Sequence, residues 1–244
     1  MAFKWEARYK IVNYLLKAHH INQILEIASG VSPRGLEMAR DPSVEYVEVD
    51  LIDAIQVKKD IIKRLIAKSI VSKQPNLHLE EGNALNLQDL LKATRFFGER
   101  PIAVVNEGFL DYLDLEEKTI FARNVHRLLE RFGGIWITPD IPTKAQDEQV
   151  VSSVKHLLSN ETLQERAGNI RRITGVDILK NRFESEDVAQ TFFENLGFIV
   201  EQHRSSEVID ELVSPQKGNQ RLEEVEKVIR PMAVFVMEID PSKS

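Results

Sequence analysis

The sequence predicts an α/β protein built on a seven-stranded, mostly parallel sheet, with helices on both faces and an antiparallel last strand. Three observations carry this. Short apolar runs alternate with longer amphipathic stretches through most of the chain. Ile24-Leu25-Glu26-Ile27-Ala28-Ser29-Gly30 reads as a buried strand entering a tight turn, and Tyr46-Val47-Glu48-Val49-Asp50 is a second strand ending in an acid. A strand, a glycine turn and a delayed carboxylate form the nucleoside-binding half of an open α/β sheet. Finally, the last two strands have no helical crossover of βαβ type between them, which suits an antiparallel edge on a parallel sheet.

Each element follows in order. Residues 2–19 form an amphipathic helix with Trp5, Tyr9, Val12 and Leu16 at helical spacing, serving as a packing helix or as a flap over the site. Strand one covers 22–28. A helix from Pro33 to about Arg40 follows, with proline at an early helical position. Strand two covers 44–50. Helix 52–69 repeats Ile55, Ile62, Leu65 and Ile66 on one face, and strand three (76–80) opens into the turn-rich Glu81-Gly82-Asn83-Ala84-Leu85-Asn86. After helix 87–97, Pro101–Asn106 is a fully buried parallel strand running into Glu107–Leu113. Helix 115–131 stops at Gly133-Gly134, strand five is 135–138, and Pro139-Asp140 follows. Residues 141–182 break the rhythm and are expected as a helical lid insertion. Helix 185–196 restores it, strand six is 198–201, and a long polar connection (203–230) leads to the last strand, 232–239.

These spans make one domain: an N-terminal helix or flap (1–20), a core (21–140), the insertion (141–182) and the C-terminal part of the sheet (183–244). At 244 residues, 43% hydrophobic and 29% charged, the chain buries a core without staples. With no cysteine, disulfides, thiolate metal sites and a cysteine nucleophile are excluded, and no metal site is expected. A net charge of −6 argues against nucleic-acid binding. No apolar run reaches the ~18 residues of a membrane span. The charged N-terminus is unlike a signal peptide. The expectation is a cytoplasmic protein with no membrane association.

The first turn discriminates between ligands. Gly30-Val31-Ser32-Pro33-Arg34-Gly35 has Ser32 where a dinucleotide site needs glycine for close approach of the pyrophosphate. Pro33 removes a backbone donor, and Glu26 sets a carboxylate near the phosphates. S-adenosylmethionine has no phosphates and carries an ammonium and a sulfonium, so an acid at the strand end suits it. A nicotinamide oxidoreductase is therefore disfavoured. A Ser32 hydrolase is too, because Arg34 stands where the nucleophile elbow needs glycine.

Four segments together resemble the leucine carboxyl methyltransferase-like family of class I S-adenosylmethionine-dependent O-methyltransferases. They are Leu25–Gly30 with Ser32-Pro33-Arg34, Tyr46–Leu51, Glu81–Leu85, and Asn106-Glu107-Gly108-Phe109-Leu110-Asp111-Tyr112-Leu113. The last is the most specific. The resemblance implies a Rossmann-like methyltransferase sheet and S-adenosylmethionine as cofactor. It implies that Ala28, Ser29 and Gly30 line the methionine moiety. Asp50, with Leu51 beside it, holds the ribose, and Asn83 and Ala84 flank the adenine. Glu107 sits beside the amino-acid tail or the transferred group, and Arg8 matches a family arginine that reaches the donor's carboxylate. The family has Asp where Asn83 stands, and Asp-Thr where Ser32-Pro33 stands.

The resemblance implies an acceptor, small molecule or protein, that is methylated on oxygen, with a carboxylate favoured over a hydroxyl or phenol. A carboxylate needs no general base, whereas a hydroxyl does. Glu107, Asp111 and Tyr112 are the catalytic candidates, just past a strand's carboxyl end where open sheets bind ligands. Asp140 is similarly placed. His19 and His20 read as a surface turn or as a base, and Arg171-Arg172 could hold an acidic substrate. A non-catalytic S-adenosylmethionine-binding module is the third alternative.

Overall fold

The computed structural model describes residues 2–141, 143–146, 168–169, 171–172 and 175–243. Most of the expected lid insertion, with His156, lies outside the described residues. The elements are α1 (Ala2–Ala18), β1 (Gln23–Ile27), α2 (Arg34–Met38), β2 (Glu45–Asp50), α3 (Ile52–Ala67), β3 (Leu77–Glu81), α4 (Leu87–Ala93) and β4 (Ile102–Asn106). Then come α5 (Leu115–Phe132), β5 (Gly134–Thr138), α6 (Glu186–Asn195), β6 (Phe198–Arg204), α7 (Ser214–Lys217), α8 (Leu222–Ile229) and β7 (Ala233–Ile239).

The sheet order is β3-β2-β1-β4-β5-β7-β6. Neighbouring strands are parallel except at β7, which runs antiparallel to both β5 and β6. Strand alternation sorts the apolar side chains onto two faces. Leu25, Ile27, Val47, Val49, Val104 and Trp136 meet α4, α5 and α6. Ile24, Tyr46, Ala103, Val105, Ile135 and Ile137 meet Ile11, Val12, Leu15 and Leu16 of α1. After β3 the chain crosses back to place β4 beside β1, which reverses the order of winding and opens a crevice between these two strands at the carboxyl edge.

Local chemistry fixes the ends of α5. Asp114 and Glu117 form a reciprocal capping box at its start. Gly133, at φ +71°, closes it by donating to Leu129 O at 2.8 Å. Gly134 must be glycine for a second reason: a Cβ there would lie 2.0 Å from Ile102 O.

Three expectations are corrected. The buried stripe of α1 is Phe3, Ala7, Ile11, Val12, Leu15 and Leu16, while Trp5 is 50% exposed. The helix is scaffold rather than flap, since lifting it would cost roughly 1.5–3 kcal/mol for each large side chain exposed. Glu6 bolts it further, accepting from Val213 N and Ser214 N at 2.8 Å each. Burial pushes the Glu6 carboxyl up, but the hydrogen bonds from Ser214 and Val213 outweigh it and hold the pKa at about 2. The connection 203–230 is not merely polar. It contains α8, whose Val225, Val228 and Ile229 pack on Phe3 and Ala7. Finally, β6 continues to Arg204, beyond the expected end at 201.

Candidate active site

The turn after β1 is an open cradle. Ala28 adopts φ +56° and donates to Val49 O at 2.8 Å, tying the turn to the end of β2. Gly30, at φ +52°, has nothing within 4 Å of where a Cβ would point. Its N–H donates to Asp50 Oδ2 at 2.7 Å, and Asp50 Oδ1 accepts from Leu51 N at 2.7 Å. Each Asp50 oxygen keeps a second lone pair. Val31 and Leu51, 63% and 61% exposed, give the cradle apolar walls. At the end of β3, Asn83 Oδ1 accepts from Leu85 N at 2.9 Å, and Ala84 O accepts from Asn124 Nδ2 at 3.1 Å. Ser32 accepts from Arg34 N at 3.3 Å and so supports the start of α2. Gly35 is needed for packing: a Cβ would sit 2.1 Å from Glu48 Oε1. Burial pushes the Glu48 carboxyl up to about 7 against the pull of its ion-pair partner Lys58.

Behind the cradle runs a ladder of alternating charge. Glu26 is buried and pairs with Arg34 and with Tyr46 Oη, at 2.8 Å for the latter. Its oxygens are thus engaged inside the protein rather than at the cradle mouth. Arg34 reaches Glu107 Oε2 at 2.6 Å. The other oxygen of Glu107 lies 3.1 Å from Arg8 Nε. Arg8 also donates to Asp140. Asp140 is the hub of the loop after β4. Its Oδ1 accepts from Gly108 N at 2.7 Å as well as from Arg8. Its Oδ2 accepts from Asn106 Nδ2 at 2.9 Å, Phe109 N at 2.7 Å and Leu110 N at 3.2 Å. Trp136 Nε1 donates to Asn106 Oδ1 at 2.7 Å, anchoring the hub in the aromatic core.

Beyond Glu107, Asp111 lies 4.0 Å from Arg182, and Tyr112 is partly exposed. Burial pushes the Asp111 carboxyl up to about 6, with Asp140 adding to the shift while Arg182, Arg8 and Lys118 oppose it. Lys118 is pushed down to about 8 by burial, and its ammonium donates to Leu113 O and to Asn181 O, the latter at 2.8 Å.

The structure therefore brings Arg8, Glu107, Asp111 and Asp140 together, with Ala28, Ser29, Gly30, Asp50, Leu51, Asn83 and Ala84 along the same carboxyl edge. His19 and His20 are not part of it. They form the turn entering β1, at the amino edge of the sheet, and are no base for this crevice. Arg171 and Arg172 are exposed, and Arg171 pairs with Asp177 at 3.6 Å. Sequence reading missed Arg34 as a site residue. The available signal was Glu26, an acid inside an apolar strand, which requires a buried partner.

This sheet order, with an open turn after β1 and a carboxylate after β2, defines a class I S-adenosylmethionine-dependent methyltransferase. The cradle fits that cofactor. Apolar walls flank the turn, lone pairs on Asp50 are available to hydroxyls, and no Cβ fills the space above Gly30. The leucine carboxyl methyltransferase family model matches residues 7–126 of the chain. The fold is shared with the methyltransferase domain of bacterial CtHen1, at 15% identity and TM-score 0.60, covering 97% of this chain and 100% of that one. A DUF574 family protein from Streptomyces avermitilis is similar at 18% identity and TM-score 0.59, covering 98% and 83%. PKMT2 from Rickettsia typhi, in complex with AdoHcy, is similar at 12% identity and TM-score 0.52, covering 90% and 49%. No curated protein matches the chain in sequence. Among the described residues, no helix is long and apolar enough to cross a membrane.

Proposed function

We propose that this methyltransferase acts on oxygen, and that its acceptor is a carboxylate of a small metabolite or of a protein. The observation that carries this reading is Arg182. Its side chain is 10% exposed and lies 4.0 Å from Asp111 in the loop after β4, so it sets a cation beside the crevice that can face an acidic acceptor. When bound, the donor supplies a methyl group already activated on a sulfonium. The chain's residues need only align it, and alignment can supply about 7–11 kcal/mol of the barrier. Asp50 holds the ribose hydroxyls, and Asn83 and Ala84 border the adenine. Arg8 and Glu107 present a cation and an anion to the two ends of an amino-acid zwitterion. The bound donor would pass its methyl group to the acceptor oxygen that these residues align, with the carbon–sulfur electron pair left on sulfur. A carboxylate, ionised above its pKa of ~4, releases no proton in this step.

Asp111 favours a second reading. A carboxyl held at about 6 beside Tyr112 has a basicity suited to taking the proton of a hydroxyl acceptor near neutral pH. Mild alkali separates the two, because it releases methanol from a methyl ester and leaves a methyl ether intact. Radiolabelled product that loses its label in alkali, formed at a rate flat from pH 5.5 to 7.5, supports the carboxylate. An alkali-stable product, formed at a rate that rises through about pH 6 and collapses in Asp111→Asn, overturns it in favour of a hydroxyl.

A further inference from the structure

Arg34 is fully buried although it carries a charge, and every part of its guanidinium is assigned. Nη1 meets Glu26 on β1. Nε donates to Asn13 Oδ1 on α1 at 2.8 Å, and the Tyr9 ring lies 4.8 Å from the guanidinium carbon. Nη2 reaches out of the core to Glu107 Oε2 at 2.6 Å. The Glu26 carboxylate and its other neighbours hold the arginine firmly charged, outweighing the pull of burial in the opposite direction. A planar fork fixed on three sides has one free direction of action, toward Glu107.

Glu107 is the contrasting member. Its side chain is 21% exposed and meets the crevice. It stands between two guanidinium groups, Arg34 inside and Arg8 outside. Arg8 is 13% exposed, whereas Arg34 is fully buried, so a ligand carboxylate can compete for Arg8. Arg34 cannot be reached by ligand. Once Arg8 turns to such a carboxylate, Arg34 alone still holds Glu107 in place.

We propose that Arg34 is a positioning residue for the donor, fixing Glu107 so that its carboxylate receives the donor's ammonium. This rests on the reading of Glu107 given above. Arg34 itself touches neither donor nor acceptor, and a merely structural Arg34 would serve only to neutralise Glu26.

The test is calorimetric titration of the purified full chain with two ligands. S-adenosylhomocysteine carries the amino-acid tail, while methylthioadenosine has the same adenine and ribose without it. Arg34→Lys keeps the charge and loses the fork. Glu26→Gln with Arg34→Met removes both buried charges together, so that no lone carboxylate threatens folding. In each variant, affinity for S-adenosylhomocysteine should fall at least about tenfold while that for methylthioadenosine stays within about twofold. Unchanged affinity for S-adenosylhomocysteine, or an equal loss for both ligands, overturns the proposal and leaves Arg34 structural. If the unaltered chain binds both ligands equally well, the fault lies earlier, in the assignment of Glu107 to the ammonium.

Discussion

Replacing Asp140 by asparagine tests whether one buried carboxylate organises the loop after β4. Its two oxygens accept from five donors: Arg8 and Gly108 on Oδ1, and Asn106, Phe109 and Leu110 on Oδ2. An amide keeps the shape but converts one acceptor into a donor. The less damaging orientation turns the nitrogen toward Arg8 and Gly108 and forfeits two bonds. At about 1.5–3 kcal/mol for each bond to a charged group, the loss is about 3–6 kcal/mol. That is a large share of the roughly 5–15 kcal/mol that holds a domain together. At ~2–4 °C per kcal/mol for a chain of this size, Tm should fall by roughly 6–24 °C. Differential scanning calorimetry of Asp140→Asn beside the unaltered chain reads this directly. S-adenosylhomocysteine affinity should fall in parallel, because Arg8 and the Gly108 turn lose their common anchor. A fall of less than about 2 °C with ligand affinity intact would refute the hub.

Asp50→Ala should weaken S-adenosylhomocysteine by about 10–100-fold in calorimetry, since ribose bonds to a charged acceptor are lost along with the Gly30 tie; unchanged affinity would remove Asp50 from the site. Asp111 gives a signed pH effect. Its folded pKa of about 6 lies above the unfolded value of ~3.9, so the native state binds the extra proton and stability is lost as pH rises between them, by at most about 3 kcal/mol. Urea midpoints at pH 4.5 and 7 should therefore diverge between the unaltered chain and Asp111→Asn, the variant being relatively more stable at pH 7; parallel midpoints contradict the burial argument. Ala28→Gly should raise stability by up to about 1 kcal/mol in urea unfolding, because glycine carries no penalty at positive φ, whereas Ala28→Val should lower it.

The sheet was legible because its signals are local. Buried parallel strands read as unbroken apolar runs, and Ala28–Gly30 with Asp50 announced the crevice through spacing alone. The site's inner scaffold was not legible, because its partners are far apart in sequence. Arg8 and Asp140 meet across 132 positions, and Arg34 and Glu107 across 73. Nothing in either neighbourhood names the other. Asp140 read only as a candidate past a strand's carboxyl end, because its five donors come from the end of β4, the loop after it and α1. Trp5 fitted a helical period but lies off the stripe that packs, since Phe3, Ala7 and Ile11 follow an i, i+4 ladder. The helix α8 was masked by its glutamates, although Val225, Val228 and Ile229 carry the period that reveals it. For the histidines, strand direction was decisive: the turn holding His19 and His20 precedes β1, so it falls on the edge opposite the crevice.

The most direct test of the account is a crystal structure of the chain with S-adenosylhomocysteine. The account predicts the ribose hydroxyls on Asp50, the adenine between Leu51 and the Asn83-Ala84 turn, the ammonium on Glu107 and the carboxylate on Arg8, with Arg34 unmoved behind them. A ligand bound elsewhere, or one in this crevice with the Arg8–Glu107 pair intact and Asp50 touching only Gly30 and Leu51, would contradict it.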